Sequence, residues 1–133
     1  MAKHCEVGRW GEALAAKHLL ANGYLIRARN WRHGHGELDI IAERGQTIVF
    51  VEVRTRRSNA YGVPQESISP NKRARLIATA RAYLDQHGLQ DAQWQIDVIA
   101  VELDQRNALI RLEHLECAIE ETASSQDGAA PNL

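Results

Sequence analysis

The residues of this chain best placed to do chemistry are acids set inside apolar, strand-like runs. In 37–43 (ELDIIAE) a two-residue period puts Glu37, Asp39 and Ile41 on one face and Leu38, Ile40 and Ala42 on the other. In 47–54 (TIVFVEVR) it puts Ile48, Phe50, Glu52 and Arg54 against Val49, Val51 and Val53. Both faces of that second run are apolar for most of its length, the pattern of a strand buried on both sides. If the chain turns at Gly45-Gln46, antiparallel register sets Asp39 directly across from Glu52, with Cβ atoms about 4.5–5.5 Å apart. Two carboxylates that close repel unless a cation or a proton sits between them. Arg54 supplies one positive charge, and a divalent ion would supply more, oxygen-only ligands suiting Mg²⁺ or Mn²⁺. The alternative is an Asp–Arg–Glu cluster that merely closes the end of a sheet. Glu12 adds a third acid. Its helical neighbours Gly8, Ala15, Ala16 and Leu19 form a small, apolar face, so its carboxylate points inward, and Gly8 and Gly11 let backbone approach closely.

These acids need elements to carry them. Residues 7–22 read as a helix rich in Ala and Leu, ended by Asn22-Gly23. Three strands follow at 24–31, 37–43 and 47–54, the first two separated by His33-Gly34-His35-Gly36 and the last two by a tight turn at Arg44-Gly45-Gln46. Residues 55–68 form a polar loop with Gly62 and Pro64. Ser69-Pro70 then starts a second helix, serine as N-cap and proline at N1, running to about Gln86 with Gly88 beyond it. Strands at 94–103 and 108–115 are joined by Asp104-Gln105-Arg106-Asn107. The tail from Thr122 has no periodicity and is expected to be disordered, leaving 1–121 as one domain. The order is α-β-β-β-α-β-β, an α/β layer in which the second helix crosses over between parallel strands.

Composition bounds the rest. The 133 residues make about one domain, and Leu, Ile, Val and Phe total 31, enough for a core. No uncharged apolar run is long enough for a membrane span, and residues 1–15 carry Lys3, Glu6, Arg9 and Glu12 where a secretory signal would be apolar. Cys5 and Cys117 have no CxxC partner, so they read as reduced thiols of a cytosolic protein and exclude a cysteine-built zinc site. The net charge of −1 hides an asymmetry. Residues 24–81 hold eleven basic against five acidic groups, and residues 82–133 hold two against ten. A basic half facing an acidic half is compatible with a polyanionic partner, where the whole-chain charge would dismiss one.

Phosphate-binding glycine loops, GxSxG and HExxH are absent. His33 and His35 stand in a glycine-rich loop without a third metal partner and read as exposed turn residues. Trp10, Trp31 and Trp94 could stack on bases but read as packing. Asp97 lies in an apolar strand with Ile99 and Val101 on its face; it either approaches the acids or hydrogen-bonds at the sheet end.

Taken together, the pieces resemble a known family. They are G-x-x-G-E-x-x-A (Gly8, Gly11, Glu12, Ala15), Gly23-Tyr24, R-N-x-R (Arg29, Asn30, Arg32) and G-E-L-D-I-I (Gly36 to Ile41). V-F-V-E-V-R-T-R (Val49 to Arg56), K-x-x-x-L (Lys72, Leu76) and I-D-V-I-A-V (Ile96 to Val101) complete them. The chain resembles, over about residues 5–118, the YraN-like family of predicted bacterial endonucleases. That family is an uncharacterised branch of the PD-(D/E)xK nuclease superfamily, similar to archaeal Holliday junction resolvases. The resemblance implies a restriction-endonuclease-like core with a mixed central sheet flanked by helices, and Mg²⁺- or Mn²⁺-dependent hydrolysis of DNA phosphodiesters in the cytoplasm. By position, Asp39 takes the place of the PD aspartate, with Leu38 for proline, Glu52 that of the second acid, and Glu12 that of the helix acid of resolvase-like members. All three are implied metal ligands. Arg54 fills the lysine slot. Lysine there positions or activates the attacking water, whereas a guanidinium holds phosphate or screens charge without releasing a proton near neutral pH. Arg56, Arg57, Lys72, Arg73 and Arg75 would hold the nucleic-acid backbone, DNA rather than RNA, and the resolvase likeness implies a homodimer. A binding module with weak or lost cleavage, and a structural partner protein, are the alternatives.

Overall fold

The computed structural model describes residues 2–58 and 68–120, with side chains from residue 7 onward. The Cys5 side chain, the Gly62–Pro64 part of the polar loop and the tail from Thr122 lie outside what is described. Two helices and five strands follow one another as α1 (Ala2–Ala21), β1 (Leu25–His33), β2 (Gly36–Arg44), β3 (Thr47–Arg57), α2 (Pro70–Gln86), β4 (Gln93–Leu103) and β5 (Leu109–Ile119). They build a mixed α/β fold around a single five-stranded sheet with spatial order β1-β2-β3-β4-β5. Only the β3–β4 pair is parallel, and α2 is the crossover that joins its strands.

Each helix covers one face. Ala15, Ala16 and Leu19 of α1 pack with Ile40, Ala42, Val49, Val51, Ile99 and Val101. Leu76, Ala80, Tyr83 and Leu84 of α2 pack with Leu38, Ile41, Phe50, Ile96 and Val98. β3 is thus apolar on both sides because it is buried on both sides.

The punctuation follows the sequence. Gly23 takes φ +88° and closes α1, with the Tyr24 N–H donating to the Leu19 carbonyl at 3.0 Å. Gly45, at φ +61°, allows the two-residue turn that pairs Arg44 with Thr47. Ser69 Oγ accepts the Lys72 N–H at 3.1 Å, and Pro70 sits in the first turn of α2. β3 runs three residues past the expected end because β4 continues beside it to the Arg57↔Leu103 pair. β5 continues to Ile119 past a bulge at Cys117, whose φ is +51°.

The two N-terminal glycines play different parts. A Cβ on Gly11 would overlap the Thr55 side chain of β3, whereas Gly8 has nothing within 4 Å of that position. Only Gly11 is a point of close approach, which corrects the reading of the pair. Gly11→Ala is therefore expected to cost about 1–3 kcal/mol by overpacking. Gly8→Ala should gain roughly 0.5–1 kcal/mol from helix propensity. Urea midpoints of the two variants check both signs.

Candidate active site

The β2–β3 ladder pairs Arg44↔Thr47 through Ile40↔Val51 in the register set by the Gly45-Gln46 turn, and there it stops. β2 goes on toward Gly36 paired with β1 alone, and β3 goes on toward Arg57 paired with β4 alone. The sheet forks at the step where Asp39 and Glu52 would have been the next pair. Asp39 occupies the mouth of the fork, its Oδ2 accepting the Val53 N–H at 2.8 Å.

Strict alternation fails at this step. Leu38 and Ile41, three residues apart, both pack in the α2 layer, and so do their β1 partners Trp31 and Ala28. Between them Asn30 adopts φ +54°, a left-handed conformation that Asn tolerates better than most side chains. Leu38 therefore belongs with Ile41 and not with Ile40 and Ala42, as a period of two had placed it. The same slip frees Asp39 to turn into the fork.

Glu52 is buried on the α2 side, where Lys72 Nζ approaches its Oε2 at 3.3 Å. The cation on Glu52 among the described ion pairs is thus Lys72 of α2, held at the helix N-terminus by the Ser69 cap, and not Arg54 two residues along the strand. Arg54 is half-buried beside Ala100. Asp39, Glu52, Lys72 and Arg75 share a cavity of about 170 Å³, with Glu37 and His35 at its rim.

Glu12 reaches the fork from the α1 layer, the opposite side from Glu52. It faces Asn30 and Arg29, the latter at 3.9 Å. Its carboxyl is raised above the ordinary range, first by burial, then against a lowering pull from Asn30 and Arg29, and finally by Glu37 and Glu52. Burial and then the Glu52 charge push the Asp39 carboxyl up to about 7, while the Val53 N–H pulls the other way. Among the described residues no three His, Cys, Asp or Glu side chains gather as a metal-ligating group, and Glu12 stands apart from the cavity of the other two acids. Two carboxylates that need a positive charge nevertheless fit Mg²⁺, which binds through one or two carboxylates and keeps waters and substrate phosphates as its other ligands.

The basic residues divide. Lys72 and Arg75 line the acid cavity, and Arg73 is exposed on α2. Arg57 donates to the Gln105 carbonyl at 2.9 Å, at the β4–β5 turn, and Arg56 is half-buried at the end of β3. His33 ends β1 and His35 sits in the β1–β2 turn, both exposed. Trp31 and Trp94 pack into the α2-side core as expected, but Trp10 is 50% exposed.

The family model described as "Uncharacterised protein family UPF0102" matches residues 11–101, a span that contains Glu12, Asp39, Glu52, Arg54 and Lys72. The chain belongs to the UPF0102 family. It is 44% identical over 120 residues to the UPF0102 protein of Roseiflexus castenholzii, covering 90% of this chain and 97% of that relative. The UPF0102 proteins of Dehalococcoides mccartyi and Moorella thermoacetica are 42% identical over 116 residues and 45% over 111. These alignments cover 87% and 84% of this chain, and 94% and 92% of the relatives. At the level of the family, the YraN-like resemblance read from the motifs is borne out.

A second buried acid of this UPF0102 chain has another character. Asp97 is fully buried on the α1 side of β4 and is not among the residues of the acid cavity. It accepts from Gln95 Nε2 and the Cys117 N–H at 2.9 Å each, and from His114 Nε2 at 2.8 Å. His114 Nδ1 lies 3.1 Å from His18 Nε2 of α1. Asp97 hydrogen-bonds rather than approaching the acids, but it does so in the body of β4, beside the β5 bulge, and not at the sheet end as expected. Sequence alone misses this chain because His18 and His114 lie 96 positions apart.

Two outcomes follow from these environments. Between about pH 4 and 7 the folded chain keeps a proton on Asp39 that the unfolded chain has released, so stability falls as pH rises through that window. Asp39→Asn should remove that slope and be the more stable protein above pH 7, by an amount on the order of a few kcal/mol. Thermal melts of both proteins from pH 4.5 to 8 check it. His114→Ala should instead lower stability by about 1–3 kcal/mol, having taken a donor from a buried carboxylate; urea titration at pH 7.5 measures it.

Proposed function

We propose that this UPF0102 protein is a metal-dependent nuclease of the restriction-endonuclease-like kind, hydrolysing DNA phosphodiester bonds at the β2–β3 fork. The observation that supports it most is the shared cavity of Asp39, Glu52, Lys72 and Arg75. Two acids and two bases face one space there, in which a phosphodiester and a water would meet. Asp39 and Glu52 would hold Mg²⁺ or Mn²⁺, which when bound polarises the phosphate and lowers the pKa of a water.

The remaining work belongs to the chain's own groups. Arg75 presents a planar donor fork to the phosphate oxygens. Lys72 is a compact ammonium beside Glu52, suited to orient a water and to meet the negative charge that develops on phosphate. It performs from α2 the part that sequence position gives to Arg54. The resemblance to the junction-resolvase-like nucleases supports the nuclease reading, as does the basic balance of residues 24–81. Arg54, with a guanidinium that stays charged, serves phosphate binding rather than proton transfer. Arg73, exposed near the start of α2, extends the phosphate-binding surface.

Cleavage of linear, flapped and four-way DNA in Mg²⁺ or Mn²⁺ tests the reading. Asp39→Asn, Glu52→Gln and Lys72→Ala should each lower the rate by on the order of 10²-fold or more. Arg54→Ala should weaken binding and flatten its salt dependence while cleavage persists at saturating DNA. Full activity in Lys72→Ala together with loss in Arg54→Ala would return the catalytic cation to the strand. A wild type that binds DNA and cuts none of the three substrates would leave the binding-module alternative.

A further inference from the structure

The acid cavity has a neighbour. A second cavity, of about 260 Å³, lies between the β1–β2 turn and the middle of α2, and shares His35, Gly36 and Arg75 with the first. Its other walls are His33, Gly34, Ala78 and Thr79, uncharged at Gly34, Ala78 and Thr79 where the first is ionic. An apolar cavity of roughly 150 Å³ suffices for a benzene ring, so 260 Å³ has room for a nucleobase.

The walls are held. Gly36 lies flush on Thr79, where any Cβ would overlap the hydroxyl, so the hairpin turn and α2 stand at a fixed spacing. The His33 ring lies parallel to Trp31, with centroids 5.9 Å apart and an interplanar angle of 5°. Gln86 Nε2 lies 3.1 Å from its Nδ1, a contact that restrains the tilt of the imidazole. A flat, oriented ring at the edge of a cavity walled by Gly34, Ala78 and Thr79 is a stacking platform. Arg75, on the wall between the two cavities, is placed for the phosphate that would link them.

We infer that this second cavity takes the unpaired base of the nucleotide next to the scissile phosphate, which makes DNA with single-stranded nucleotides at the cut the substrate class. The inference rests on the nuclease reading of the acid cavity. An ionic cavity, then the Arg75 cation on the shared wall, then a flat-sided space bounded by His33, Gly34, Ala78 and Thr79 matches the order phosphate, phosphate oxygen, base along a single strand. A base stacked and paired in a duplex cannot present its faces to such a pocket; an unpaired one can.

Fluorescence anisotropy of the full chain in EDTA, with a labelled ten-nucleotide single strand and with the blunt duplex of the same sequence, separates the outcomes. The single strand should bind the tighter. His33→Ala, which removes the platform, and Ala78→Trp, which fills the pocket, should each weaken single-strand binding about tenfold, with a much smaller change on the duplex. Lys72→Ala should weaken both. Equal wild-type affinity for the two DNAs, or single-strand affinity unmoved by both pocket substitutions, overturns the inference. Both positions are solvent-exposed, so the variants should keep the wild-type melting temperature. The two readings fail separately. Single-strand preference that depends on His33 and Ala78, with no cleavage in Mg²⁺ or Mn²⁺, would sink the nuclease and keep the base pocket. Cleavage of duplex and single strand at equal rates, unmoved by either pocket substitution, would do the reverse.

Discussion

Two carboxylates at the mouth of the β2–β3 fork repel each other, and burial removes the water that would screen them. Asp39 answers with the Val53 N–H and with a carboxyl pushed up toward neutrality, and Glu52 with the Lys72 ammonium. Several departures from regular packing around the fork keep this pair in place. The ladder must end after Ile40↔Val51, or a backbone carbonyl would take the Val53 N–H and leave Asp39 no donor in the fork. Asn30 must turn left-handed so that β1 can follow β2 through the slip. The Ser69 cap must hold the first turn of α2 so that Lys72 arrives where Glu52 needs it.

Such an arrangement is affordable only in a rigid frame. β3 is buried from Ile48 to Glu52 and β4 from Ile96 to Val101, and their parallel pairing runs unbroken from Thr47↔Gln93 to Arg57↔Leu103. Glu52 therefore sits on a strand that stays fixed when its partner β2 peels away. Gly11, flush against Thr55, brings α1 down on the same strand from the other side and carries Glu12 with it. The two helices deliver charge to the fork from opposite layers, an acid from α1 and a base from α2.

What the sequence discloses of this site is whatever depends on short-range rules. A tight turn at Gly45-Gln46 determines the register of β2 against β3 and so names Asp39 and Glu52 as opposed positions. Ser69-Pro70 and Gly88 bound α2 because capping is local. The failures are equally physical. Alternation predicts the wrong layer for Leu38, since a single left-handed residue on the neighbouring strand, Asn30, resets the count. Arg54 is the cation nearest Glu52 along the chain, yet distance along a strand says nothing about what a helix places above it, and Lys72 holds the contact. The same limit hides Glu12's approach from the far layer, because a helical face shows that a side chain points inward but not which side of a fork it meets.

The contrast between the two buried aspartates sharpens the functional reading. Asp97 is the more deeply buried, and it has three donors on its two oxygens, with His114 and His18 carrying the network across to α1. An acid so fully satisfied behaves as part of the frame, tying β4, β5 and the first helix together. Asp39 is held among the described residues by one donor and faces the charges of Glu52, Glu12 and Glu37. Folding alone would gain by replacing it with a neutral side chain. A carboxylate kept where it costs stability, at the edge of an open cavity with a lysine and an arginine beside it, is the arrangement expected when the missing positive charge arrives with a ligand.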